Sequence, residues 1–176
     1  MAADTLINDF ELPFQLYDVL GVEHLTEHAK FAEHSRETFD AVLGTANKIA
    51  TDLFLPHNHV ADKNEPQFDG KKVSMIDDVK VAFDAFRESG FIAGRYSFDD
   101  GGMQLPETVM TAVAGYFMAA NPSTTAYPFL TTAAINVISH FASDEIKNAF
   151  MPRMLTGEFT GTMALTEPHA GSSLAD

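Results

Sequence analysis

Thr166 and Ser172 are the residues whose types and spacing best fit a chemical task in this chain. They fall in the last seventeen residues, Thr160-Gly-Thr-Met-Ala-Leu-Thr-Glu-Pro-His-Ala-Gly-Ser-Ser-Leu-Ala-Asp176. A β-type run from Thr160 to Thr166 breaks at Glu167-Pro168 and gives way to the small residues Ala170, Gly171, Ser172 and Ser173. A hydroxyl at a strand end, followed by a turn and a small-residue loop, lets a ligand approach the backbone closely. Exposed N–H groups and a serine hydroxyl in such a loop can hold a phosphate or the polar edge of a ring. An ordinary strand–turn connection uses the same residues, so spacing alone leaves both readings open. Glu167 lies inside the turn, where its expected work is turn formation and ion pairing rather than acid–base chemistry.

The other patterns carry less. His24-Leu-Thr-Glu-His28 matches H-x-x-E-H, in which two histidines one helical turn apart bind zinc and the glutamate acts as base. That site needs one continuous helix, whereas Gly21 closes a helix just before it and Thr26 favours a cap, so a solvated connector is expected. His57-Asn-His59 sits in a polar stretch and is expected at the surface. The chain contains neither a G-x-S-x-G elbow nor a G-x-x-x-x-G-K-[ST] phosphate loop. Gly101-Gly102 lacks the spacing of a dinucleotide fingerprint and reads as a tight turn with one glycine at positive φ. Phenylalanines and methionines at helical spacing are expected in the core. No metal ligand and no catalytic side chain is assigned.

The elements that must position these residues are helical. Asn8-Asp9 can cap a short helix whose apolar face would be Phe10, Phe14, Tyr17 and Leu20, with Gly21 as its stop. Ser35 caps a long helix whose stripe runs Phe39, Val42, Leu43, Ala46, Ile49, Ala50, Leu53 and Phe54 until Pro56. His57 to Lys72 reads as loop. Ser74-Met-Ile-Asp77 has capping-box spacing ahead of a helix that buries Val79, Ala82, Phe83 and Phe86 and ends at Gly90. Asp99-Asp-Gly-Gly102 is a turn. Pro106 opens the next helix, which ends at Asn121-Pro122. Leu130 to Phe141 is nearly uncharged and reads as a mid-bundle helix. Ser143 caps the last helix, with Pro152 expected to break it and Gly157 to stop it. The expected fold is all-α: a bundle of about six helices over residues 1–158, then the first strand of a truncated β domain over 159–176.

Composition narrows the function class. The chain has 176 residues, 45% apolar and 20% charged, with no cysteine and a formal net charge of −14. Without cysteine, disulfide frameworks, zinc–thiolate sites and thiol nucleophiles are excluded. Phosphate backbones and anionic membrane surfaces repel such a polyanion, so neither nucleic acid nor membrane is an expected partner. No apolar run reaches the roughly 20 residues that span a bilayer. Met1-Ala-Ala-Asp-Thr5 is small and acidic rather than leader-like, so a cytoplasmic location is expected.

Leu165-Thr-Glu-Pro-His-Ala-Gly-Ser172 resembles the first signature of the flavin-dependent acyl-CoA dehydrogenases. The likeness extends upstream through Ala142-Ser-Asp-Glu-Ile-Lys-Asn-Ala-Phe-Met-Pro-Arg-Met-Leu-Thr-Gly157, Glu158-Phe-Thr-Gly-Thr-Met163 and Gly101-Gly-Met-Gln-Leu-Pro106. The first seventy residues are similar to the longer N-terminus of the subgroup that includes 3-methylmercaptopropionyl-CoA dehydrogenase. The resemblance implies a helical N-terminal domain, a β middle domain and a C-terminal four-helix bundle, of which this chain holds the first and the start of the second.

By that likeness Met163, Ala164, Leu165, Thr166, Gly171 and Ser172 would contact FAD, with the Thr166 hydroxyl near flavin N5. Ser172 would reach the flavin pyrophosphate or the CoA portion of the substrate. Thr125, Phe129, Leu130 and Ala133 would line the acyl tunnel. The implied reaction, of the fatty-acid β-oxidation type, removes the acidic α-proton and passes the β-hydride to the flavin, giving the trans-2-enoyl-CoA. The carboxylate base belongs to the C-terminal domain in that family. Electron-transferring flavoprotein would be the acceptor, and a homodimer or homotetramer the assembly. Ser173 stands where the family usually has Asp, which weakens local capping of the loop. An acyl-CoA oxidase using O₂, or a non-catalytic helical interaction module of the same architecture, are the alternatives.

Overall fold

A computed structural model describes residues 6–173. The Met1–Thr5 segment and residues 174–176 lie outside the described residues. Seven α-helices are present among those described: α1 (Glu11–Pro13), α2 (Arg36–Ile49), α3 (Asn58–Lys63), α4 (Asp77–Glu88), α5 (Glu107–Ala120), α6 (Pro122–Phe141) and α7 (Asp144–Leu155). Two short strands, β1 (Gln67–Phe68) and β2 (Val73–Ser74), form an antiparallel hairpin between α3 and α4. The architecture is the expected all-α bundle with one small hairpin on its edge.

α2, α4, α5 and α6 surround the core. The stripe read along α2 is buried as expected: Phe39, Ala46, Ala50 and Phe54 are fully enclosed and Val42 and Leu43 nearly so. Its last turn, Ala50–Phe54, widens into a π-helix. Phe54, Phe86, Phe91 and Phe117 meet edge-to-face or tilted, with ring centroids 4.8 Å apart for Phe54–Phe117 and for Phe86–Phe117. Each such pair adds about 1 kcal/mol beyond the area it buries.

A polar clamp closes the core at one end. His57 is 2% exposed; its Nδ1–H donates to the Leu53 carbonyl at 2.6 Å, and its Nε2 accepts from the Thr124 hydroxyl at 2.8 Å. Asn121 donates to the Phe54 carbonyl at 3.2 Å and accepts from the Thr124 N–H at 3.0 Å. The expectation of a surface His57 is corrected here; His59, two residues on, is exposed. The difference is a turn at residues 55–57 that leaves position 57 within reach of the Leu53 carbonyl and of Thr124 at the start of α6.

Several local expectations differ from the structure. Asn8 does cap α1, accepting from Phe10 N–H and Glu11 N–H. α1 then continues as a π-helix, Phe14–Val19, and the wider turn rotates the face: Leu16 and Tyr17 are buried while Phe10, Phe14 and Leu20 are exposed. The Ser74–Asp77 capping box is absent, because Ser74 is held in β2 and its hydroxyl donates to the Gln67 carbonyl. The stretch read as loop over 57–72 contains α3 and β1. α6 starts at Pro122 rather than Leu130, with Asn121 as its cap and Pro128 inside it. α7 is continuous through Pro152. The Ser35 and Ser143 caps and the Gly157 stop, at φ 70°, are where the sequence puts them. Gly101 takes the positive φ of its turn, 77°.

Residues 160–166 carry neither helix nor strand pairing. A β-type run becomes a strand only against a neighbouring strand, and β1–β2 pair only with each other.

Candidate functional site

α6 organises both groups of site residues. At about 100° per residue, Thr125, Phe129, Thr132, Ala133 and Asn136 fall along one side of it. They line an apolar cleft of about 170 Å³ whose other walls are α5 and the aromatic core residues Phe86, Phe91 and Phe117. Thr125 and Thr132 donate their hydroxyls to carbonyls within α6, those of Asn121 at 2.7 Å and Pro128 at 3.0 Å, which removes their protons from the cleft. Pro128 also faces it, so the break in backbone hydrogen bonding that a proline imposes falls where a wall is needed rather than a donor.

Three of the four expected tunnel residues, Thr125, Phe129 and Ala133, therefore meet in one cleft. Leu130 does not line it. About half a turn away, Leu130, Thr131 and Ala134 face the segment that follows α7. Gly161 N–H donates to the Thr131 hydroxyl at 3.1 Å, and that hydroxyl donates to the Tyr127 carbonyl at 2.8 Å. A Cβ on Gly161 would lie 2.5 Å from Ala134 Cβ and 3.2 Å from the Leu130 carbonyl oxygen. The backbone that leads into the signature segment thus rests directly on α6 at Gly161, and only glycine permits that approach.

Past Gly161 the chain leaves the bundle surface. Met163 and Leu165 are more than half exposed, and Ala164, Thr166 and Ser172 are exposed. Glu167 and Ala170 close a tight turn by exchanging backbone hydrogen bonds, N–H to O at 2.7 and 3.3 Å. The Thr166 side chain lies over Gly171, where a Cβ would sit 3.5 Å from the Thr166 methyl. This strip presents two long apolar side chains and then a turn bearing two hydroxyl-containing residues, Thr166 and Ser172. Such a set fits one wall of a flavin: flat apolar contact for the ring, donors for its edge and phosphates. Gly161 meets α6 about half a turn from the residues that line the cleft. α6 also exposes an apolar stripe that includes Phe129, Val137 and Phe141, the last 84% exposed. The expectation of a mid-bundle helix is corrected: α6 packs against α4, α5 and α7 but leaves this one stripe open, although it is nearly uncharged.

The histidines of the H-x-x-E-H pattern do not share an α-helix. His24 sits in a 3₁₀ turn, Val22–Glu27, and pairs with Glu27 at 3.0 Å at the surface; His28 is in extended conformation at its end. No group of three or more His, Asp or Glu residues with metal-holding geometry occurs among the described residues. Sequence reasoning missed His57, Asn121 and Gly161. Asn121-Pro122 was legible as a helix boundary, but the partners of all three come from other elements. No helix of the described residues is long and apolar enough to cross a membrane.

Two ionisable sites away from the cleft brace the elements around it. Burial, then the hydrogen bond to Asp40 at 2.6 Å, pushes the Tyr17 hydroxyl well above its ordinary value and keeps it a donor; the Arg36 guanidinium lies 4.1 Å above its ring. On α4, hydrogen bonds from Lys80 and then Arg87 hold Asp84 below the usual carboxylate range.

The family model described as acyl-CoA dehydrogenase, N-terminal domain, matches residues 36–158, from the start of α2 to the turn after α7. The chain is 28% identical over 163 residues to a 3-methylmercaptopropionyl-CoA dehydrogenase of Ruegeria pomeroyi, covering 89% of this chain and 28% of that protein. It is 32% identical over 141 residues to a butyryl-CoA dehydrogenase of Syntrophomonas wolfei, covering 78% and 23%. It is 28% identical over 165 residues to a broad-specificity linear acyl-CoA dehydrogenase of Mycobacterium tuberculosis, covering 92% and 26%. The chain spans about a quarter of the length of these curated relatives.

Proposed function

Because the chain belongs to the acyl-CoA dehydrogenase family through its N-terminal domain, we propose that it supplies two walls of a flavoenzyme's active site, one for the acyl chain and one for the flavin. The enzyme would oxidise an acyl-CoA to the trans-2-enoyl-CoA, with residues 1–158 as its helical domain and 159–176 as the start of a β domain. The observation that carries this reading is the shared helix. α6 lines the apolar cleft through Thr125, Phe129 and Ala133 and, at Gly161, seats the backbone that leads into the signature segment.

The residues of this chain would act by binding and orientation. Phe129, Ala133 and the core aromatics would exclude water from the acyl chain, holding it so that its α- and β-carbons present consistently to the flavin side. Met163 and Leu165 would press on the flavin ring, with the Thr166 hydroxyl at its N5 edge and Ser172 at a phosphate. FAD, when bound, would supply the hydride acceptor. The proton-removing carboxylate would come from a C-terminal domain, and electron-transferring flavoprotein would take the electrons. An orientation role of this kind can account for a large part of a rate enhancement.

The cleft can be tested on the chain itself. Titration of isotope-labelled protein with the hexanoyl thioester of N-acetylcysteamine is expected to move backbone NMR signals at Thr125, Phe129 and Ala133. Saturable changes confined to other residues would contradict the assignment.

A further inference from the structure

Two of the residues lining the acyl cleft are hydrogen-bond donors, and they face it from different elements. Asn136 comes from α6; its Oδ1 accepts from the Tyr96 hydroxyl at 2.7 Å, which leaves the amide Nδ2–H₂ as its remaining group. Arg95 comes from the segment after α4. Its Nη1 pairs with Glu107 at 3.0 Å, on the side where Glu107 is largely in water, and the other donors of the guanidinium fork are left over. No carboxylate lines the cleft. The threonine hydroxyls there have already given their protons to α6 carbonyls. An apolar cavity whose wall carries a guanidinium and an amide N–H₂ but no carboxylate is complementary to a ligand that brings a carboxylate or carbonyl oxygen.

Resting on the reading of this cleft as the acyl site, we propose that Arg95 and Asn136 determine specificity for an acyl group whose tail carries a carboxylate or carbonyl oxygen. The volume sets the length. A cavity of roughly 150 Å³ accommodates a six-carbon ring, and this cleft of about 170 Å³ would take about as many atoms. A six-carbon acyl group ending in an acceptor therefore fills it and reaches the donors. A site built to hydrogen-bond a ligand group discriminates against the analogue that lacks it far more strongly than an apolar pocket discriminates by one methylene.

The test uses three N-acetylcysteamine thioesters, hexanoyl, 5-oxohexanoyl and adipoyl, titrated into the labelled chain and followed at Phe129, Ala133 and Arg95. The expected result is binding of all three at the cleft, with the adipoyl or 5-oxohexanoyl probe about tenfold tighter than hexanoyl, the scale of one charge-assisted hydrogen bond. Tighter adipoyl than 5-oxohexanoyl binding identifies a carboxylate tail, and the reverse order a carbonyl. Arg95→Met keeps the apolar stem and is expected to abolish the preference, read as the ratio of affinities for the three probes within the same variant; Arg95→Lys is expected to retain part of it. Equal affinities in the unmodified chain, or a preference that survives R95M and Asn136→Leu together, would overturn the proposal and leave the acyl cleft standing. Absence of any cleft response to all three probes would overturn both.

Discussion

Gly161 is the residue at which one methyl group decides how the signature segment meets the bundle. A Cβ there would overlap Ala134 and press on the Leu130 carbonyl, so Gly161→Ala is expected to cost about 1–3 kcal/mol or to lift the segment off α6. Thermal denaturation by circular dichroism checks the first outcome, and loss of amide protection at Gly161 the second. Adding Ala134→Gly should recover part of the loss, since it removes the nearer obstacle. Neither Gly161 nor His57 could be singled out in the sequence for its contacts. A glycine in a Thr-Gly-Thr run looks like turn or strand punctuation until the helix beneath it is known. His57 lies between Pro56 and Asn58 in polar company, and its partners Leu53 and Thr124 become neighbours only once α2 and α6 pack. Thr125, Phe129 and Ala133 were placed by family likeness, and they do converge on one cleft; Leu130, placed the same way, does not line it and meets Gly161 through its carbonyl.

Among the elements, the amphipathic helices were the most legible. α2 and α4 bury nearly the faces that their 3–4 spacing indicates, because each has one apolar side and one charged side. α6 was misread in both extent and position. The helix begins eight residues earlier than expected, capped by Asn121, and runs through Pro128. The uniform apolarity of α6 indicates burial, whereas one face is open. In the π-helix that continues α1, Leu16 and Tyr17 point inward, while Phe10 and Phe14 lie at the surface, where their rings stack at 6.0 Å. At this scale α4 gives a pH prediction. Lys80 and Arg87 depress the Asp84 carboxyl in the folded chain, so its contribution to stability is present above the unfolded value of about 4 and is lost as pH falls through the folded one. Asp84→Asn should lower the melting temperature slightly at pH 7, and the gap between variant and parent should close at acid pH below about 4. Because these side chains are partly solvated, the effect is expected to be small and to shrink with added salt.

For the whole molecule, the open side of α6 matters most. Phe129, Val137 and Phe141 on α6, with Ile146 and Phe150 on α7, are exposed apolar side chains on successive helices, of the kind that interaction surfaces use. Phe141→Asp should leave stability nearly unchanged, since the residue is 84% exposed, while reducing both binding of the dye ANS and self-association in sedimentation velocity. In the proposed enzyme, further domains would cover this stripe and complete the flavin site that the Met163–Ser172 strip begins. The most direct measurement is anaerobic spectroscopy of the protein extended past Asp176 to the full length of the family relatives. The account predicts a yellow protein with bound FAD whose flavin absorbance bleaches on addition of an acyl-CoA. A folded, extended protein that neither retains nor takes up FAD would contradict it.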